Sequence, residues 1–430
     1  MDIIQQLLSN VPIPRMVRIR QQFSSGARVE DISAEIKHQI ANPRVGDRVK
    51  PGMRIAVTVG SRGIADIDRV ARSIVDELKR RGAKPFIVPA MGSHGGSTAE
   101  GQKKVLANLR VTEESVGCPI ISSMNVVELA KLDNGLPVLI DKEAYEADGI
   151  VVLNRVKPHS AFRGPSESGL VKMIAIGLGK QKGADTCHVY GFGHMAQHIV
   201  QMAHIAIAKA PIIFGIAIIE NAYDQVMKLV GVPAADIIDA DRKLLHEARA
   251  NMARIPFQKI DVLIVDWMGK EFSGSGMDPN ITGRYATPFA SGGPEVNKLV
   301  VLDLTKATQG NATGLGMADF TTRRLVNKIN YQYMYANAFT ATIMIPVKIP
   351  VIMESDRDAI LGAIKTCNAT ELSRARIVRV NDTLHLDDMY VSESLLDVPT
   401  ESMSVSATPD DIKFDVGGNV LDAFDSSLHH

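Results

Sequence analysis

Several things are scarce in this 430-residue chain, and each shortage closes off a class of function. Only three cysteines occur, Cys118, Cys187 and Cys367, far apart and with no CxxC spacing. That excludes a disulfide framework, a zinc ribbon or an iron–sulfur cluster and fits a reducing compartment. Charge of either sign is not in excess: 48 Lys and Arg balance 48 Asp and Glu. The basic footprint of a nucleic-acid or anionic-membrane binder is therefore absent. Long apolar runs are missing too, since "APIIFGIAII" is about half of what a bilayer span needs. The opening "MDIIQQLLSNVPIPRMVRIRQQF" lacks the basic lead, apolar stretch and small-residue site of a secretory signal. A soluble, cytoplasmic protein with small-molecule partners is expected, without nucleic acid or membrane. The terminal His429 and His430 are set aside from any metal argument.

A chain of this length with a 45% hydrophobic fraction is expected to build two or three cores. From residue 54 an apolar run, a glycine turn and an amphipathic helix alternate. "RIAVTV" reads as a strand, "GSRGI" as its turn, and "ADIDRVARSIVDELKRRG" as a helix closed by Gly82. "KPFIVPA", "MGSHGGS" and "TAEGQKKVLANL" repeat the pattern, with Ser97 or Thr98 as N-cap. Further on, "NVVELAKL" and "LPVLIDK" flank the turn "DNG", and "DGIVVLN" is another buried strand. The fold class is α/β with two domains and mostly parallel sheets. A boundary near 256 is expected to give a catalytic, cofactor-binding domain over 1–255. A second α/β domain over 256–430 is expected to close the cleft, with the active site on βα loops.

Loops at the carboxyl ends of such strands are where ligands bind, and here they carry unusual residues. "GSRGI" brings Gly60 and Ser61 together with Arg62, a combination suited to an anion, although a tight turn with an exposed arginine looks the same. "MGSHGGST" sets His94 on a turn into a helix, where an imidazole can take and return a proton. "NRVKPHSAFRGPSESGLVKM" crowds Lys157, His159, Arg163 and Lys172 into twenty positions, with Ser168 a few residues before the lysine. Lys172 among small and apolar residues suits a desolvated, nucleophilic amine; a snorkelling surface lysine is the alternative. His188 and His194 in "CHVYGFGH" lack a close metal-ligand pairing such as HExxH. The classical GxGxxG fingerprint is missing from "GSRGIADID", which weakens the reading as a nicotinamide-dependent oxidoreductase. A non-enzymatic cofactor- or metal-binding protein remains a third class.

Taken in order, Arg62 in its turn, "GSHGGST", "KPH", "SGLVK" and the histidine of "TCH" resemble the nickel-dependent lactate racemase family, best over residues 50 to 200. The resemblance implies a racemase or epimerase acting at C2 of a 2-hydroxy acid by hydride transfer. The implied cofactor is nickel in the nickel-pincer nucleotide, pyridinium-3,5-bisthiocarboxylic acid mononucleotide. Lys172 is implied as its covalent tether and His188 as the protein ligand to nickel, while His94 and His159 become the acid/base pair. Arg62, Gly60, Ser61 and Ser168 are implied around the cofactor. Lys157, Arg163, Arg284 and again Arg62 are implied at the substrate. Cofactor-synthesis proteins are implied as partners, and a homo-oligomer is compatible with the family. The chain departs from the lactate-specific pattern with "VGSR" in the first loop, "SGLVK" for SGGxK, and "DPNITGR" with Thr282 and Arg284 in the second half. These departures point away from lactate toward a larger or more polar 2-hydroxy acid, including a sugar acid; the 268–284 loop either lines its pocket or is a structural connection between the domains.

Overall fold

A computed structural model describes residues 3–23, 27–61, 63–398, 403–421 and 424. The strongest local pattern in the sequence explains the first layer. In Ile67–Arg80 the apolar positions Ile67, Val70, Ala71, Ile74, Val75 and Leu78 recur at helical spacing and are all buried. They lie in one core with Ile55, Val57 and Val59 of the strand Arg54–Val59 and Ile87 of Lys84–Pro89. Gly82 follows that helix at φ +82, as expected of a glycine that ends it. Thr98 caps the next helix, Ala99–Asn108, accepting from Gly101 N.

The chain divides into two units. One comprises Ser25–Met252 with Thr340–Thr342. Its sheet runs Lys84–Pro89, Arg54–Val59, Gly149–Arg155, Ile212–Glu220, Val226–Pro233. The first four strands are parallel and the last is antiparallel. The expected hairpin about "DNG" forms between Val126–Lys131 and Pro137–Asp141. The other unit comprises Met1–Ser24, Ala253–Phe339 and Ile343–His430. Its eight-stranded sheet begins with Val351–Met353, Phe320–Thr322, Glu295–Leu304, Lys259–Met268 and Ile377–Val380, all parallel. It continues with Asp388–Ser392, Met16–Gln21 and Met403–Val405, all antiparallel.

The expected α/β class with mostly parallel sheets is what the chain adopts. The division by sequence differs at the start, where 1–255 was expected to be one domain. Met16–Gln21 pairs with Asp388–Ser392, so the first strand is built into the sheet of the second half. A hydrogen-bonded ladder between segments so distant in sequence leaves no signal in local periodicity. Among the described residues no helix is long and apolar enough to cross a membrane.

Ile74 is fully buried on the helix that covers the first sheet. Replacing Ile74 by Ala is expected to destabilise this unit by about 2–5 kcal/mol through lost transfer energy and a residual cavity. Urea unfolding monitored by circular dichroism checks it, and a change below about 1 kcal/mol contradicts the packing described.

Candidate active site

Three neighbouring parallel strands, Lys84–Pro89, Arg54–Val59 and Gly149–Arg155, end at the same edge of the first sheet. Their carboxyl-end loops carry His94, Gly60 with Ser61, and the 156–168 segment. Arg62 lies outside the described residues. The loops meet: the Ser61 hydroxyl hydrogen-bonds His94 Nδ1. Because a hydroxyl can donate or accept, that bond survives a change in the protonation state of His94.

The 157–168 loop is closed at its base by paired backbone bonds, Lys157 N to Ser168 O at 2.8 Å and Ser168 N to Lys157 O at 3.2 Å. Inside it sits Glu167, whose side chain is 0% exposed. Its carboxylate accepts from His159 N at 2.7 Å and Gly164 N at 3.1 Å, and it pairs with Arg163 at 3.4 Å. It also takes the guanidinium of Arg249, from the helix Ile237–Asn251. A buried carboxylate needs this set of donors to offset the loss of water. Arg163 further donates to His159 O at 2.6 Å, so it braces the loop.

Held this way, His159 reaches Lys172: Nε2 and Nζ are 2.6 Å apart. The other ring nitrogen fixes where the proton lies. Ala161 N donates to His159 Nδ1 at 3.0 Å, so Nδ1 carries a lone pair and the neutral ring is protonated on Nε2. Lys172 Nζ is the group that this loop sets against the Nε2 edge of the ring.

Lys172 closes the short helix Leu170–Lys172, which runs into a wider π turn over Met173–Gly177 and then the helix Lys180–His188. The start of this run is fastened by Asp241, buried and accepting from Leu170 N at 2.7 Å. Gly169 is required there, because a Cβ would collide with the Asp241 carboxyl group. Burial raises the Asp241 carboxyl to about 6.

His188 ends the run. Its Nδ1 donates to Ala184 O at 2.7 Å, which leaves the Nε2 lone pair available to a ligand. Burial lowers its pKa, so the ring is held neutral. The ring packs edge-on to Phe192 at 5.4 Å, and the His159 ring lies 6.0 Å from the same Phe192. His159 and His188 thus flank one aromatic ring, and Lys172 meets His159 beside it. Gly60 approaches Met173, next to Lys172, within 3.1 Å of where a Cβ would lie. Cys187 beside His188 is buried and its thiol is pushed up to about 12, so it is no nucleophile. His194 stacks on His198 at 5.6 Å instead of joining this group.

Arg284 belongs to the other unit, where its guanidinium is engaged by Val296 O, Asn297 O and Asp319 at 3.2, 2.6 and 2.8 Å. Glu167, Asp241 and Arg249 were not singled out from sequence. The signal available was an acidic residue inside a cationic stretch, and Asp241 and Arg249 about two helical turns apart on a charge-rich helix.

Residues 7–199 match the lactate racemase N-terminal domain, a span that contains Gly60, Ser61, His94, His159, Lys172 and His188. Over this span the chain is similar to the lactate racemase N-terminal domain, the family its motifs resemble. No curated protein matches the chain. Among solved structures, the lactate racemase apoprotein from Thermoanaerobacterium thermosaccharolyticum is similar at 13% identity and a TM-score of 0.47, covering 80% of this chain and 90% of that one.

One outcome follows from the burial of Asp241. Asp241 binds a proton more tightly folded than unfolded, so its share of stability is fully present below about pH 4 and is lost as pH rises to about 6. Asp241→Asn should flatten the stability–pH curve in that window by at most about 3 kcal/mol; an unchanged slope contradicts the burial effect.

Proposed function

We infer that this protein inverts C2 of a 2-hydroxy acid as a racemase or epimerase, with a nickel-pincer nucleotide as cofactor. One observation carries the reading. Lys172 meets His159, and His159 shares the Phe192 ring with His188, whose Nε2 lone pair is open, all within a span similar to the lactate racemase N-terminal domain.

The residues fit the group. A thioamide tether needs an amine, which Lys172 would supply. Nickel carried by the cofactor's sulfur and carbon donors would take one further nitrogen, and His188 Nε2 would offer it. Among the described residues no three His, Cys, Asp or Glu side chains come together to hold a metal, so His188 would serve as a lone protein ligand. When bound, the cofactor supplies hydride acceptance and return at C2.

The chain's own residues handle the proton and the charge. His159 rests with its proton on Nε2; once the Lys172 amine is taken up in the tether, that N–H turns to a substrate oxygen. Phe162 packs on the His159 ring at 4.4 Å and holds its plane. His94, whose Ser61 bond tolerates either state, is suited to take the hydroxyl proton. Inverting a centre requires proton handling toward both enantiomers, hence two imidazoles. Lys157, on the same loop as His159, supplies positive charge that orients a substrate carboxylate, while Arg163 is engaged by Glu167 and His159 O. The departures in "VGSR" and "DPNITGR" favour a 2-hydroxy acid larger or more polar than lactate.

A chirality-resolved assay of a panel of 2-hydroxy acids, on protein co-expressed with the cofactor-making proteins, tests the reading. Inversion of at least one acid is expected, with nickel retained and added mass on Lys172. His94→Ala and His159→Ala should each lower turnover by about 10²–10⁴-fold with nickel still bound, whereas His188→Ala should release the metal. Nickel-loaded protein that inverts none of the acids, or a His188→Ala variant that keeps its nickel, overturns it.

A further inference from the structure

Lys180 is a fully buried cation that the reading above does not use. Its side chain is 0% exposed and pairs with Asp141, also 0% exposed, at 3.0 Å. Burial lowers its pKa, and its backbone sits at φ +54, a region that side chains other than glycine rarely adopt. Both features oppose stability, because buried ion pairs seldom offset their desolvation and left-handed backbone costs about 1–3 kcal/mol.

Its bonds lead to the His94 loop. Nζ donates to Pro89 O at 2.5 Å, where the second strand ends, and to Gln102 Oε1 at 3.3 Å. Gln102 is itself 0% exposed, and its Nε2 donates to Gly92 O at 2.9 Å and His94 O at 3.3 Å. The loop is also tied to the same helical run through Gly92 N to Gly177 O at 3.2 Å. Lys180 opens the helix that His188 closes. One side chain thus links the helix bearing His188 to the backbone carrying His94.

We propose that Lys180, through Gln102, is a positioning residue that sets the His94 imidazole relative to the helix of His188. The value of the pair to the reaction rests on the racemase reading; the geometric linkage does not. Gln102→Met keeps the volume of the side chain and removes its bonds to the loop without stranding the Asp141 charge. The double variant Lys180→Met, Asp141→Leu removes the ion pair without leaving either partner alone.

The test measures the rate at which diethyl pyrocarbonate modifies His94 in protein without cofactor, mapped by mass spectrometry, and kcat and KM separately in loaded enzyme. Positioning predicts a His94 modification rate changed at least about threefold, with the rate at exposed His38 unchanged. It also predicts a kcat lower by about 10–100-fold with KM within about twofold and nickel content unchanged. A merely stabilising role predicts lower melting temperature with His94 reactivity and kcat as in the parent, and that result overturns the proposal. If the double variant does not fold, Gln102→Met alone decides. If the parent protein inverts no substrate, the racemase reading fails while the His94 rate still decides the linkage.

Discussion

One buried carboxylate governs how the candidate site is put together. Glu167 lies within a loop that would otherwise have no reason to fold back on itself, and it is satisfied only when His159 N, Gly164 N, Arg163 and Arg249 all converge on it. Because an unpaired buried charge is far more costly than a lost surface contact, this requirement narrows the loop to one conformation. That conformation sets the His159 ring. Ala161 N then fixes its tautomer, and so which ring edge meets Lys172.

Around this centre the chain accepts arrangements that a protein built only for stability would avoid. Asp241 is buried with its acid form favoured, Gly169 leaves room only for that carboxyl, and Lys180 is buried at positive φ. Such departures collect where function constrains the backbone. The parallel sheet supplies the counterweight, since its strands are apolar on both faces and place three loops at one edge.

Much of this was legible in sequence. The helix Ile67–Arg80 and the strands around it follow from periodicity, and "KPH" and "SGLVK" pointed to side chains that do meet. What was not legible depends on contacts distant in sequence. Arg249 reaches Glu167 across 82 positions, and Lys180 reaches Pro89 across 91. Met16–Gln21 joins a sheet completed near the other end of the chain. Asp241 and Arg249 lie on a charge-rich helix whose buried face is marked by Leu244, Leu245 and Ala248, so polarity alone does not single them out.

The central claim is that the folded loop makes His159 accept from Ala161 N on Nδ1, so that the neutral ring carries its proton on Nε2, the edge turned to Lys172. Nitrogen-15 spectroscopy of histidine-labelled protein without cofactor measures this directly. A protonated Nε2 and an unprotonated Nδ1 at His159, near neutral pH, is the result the account predicts; a proton on Nδ1 would contradict it.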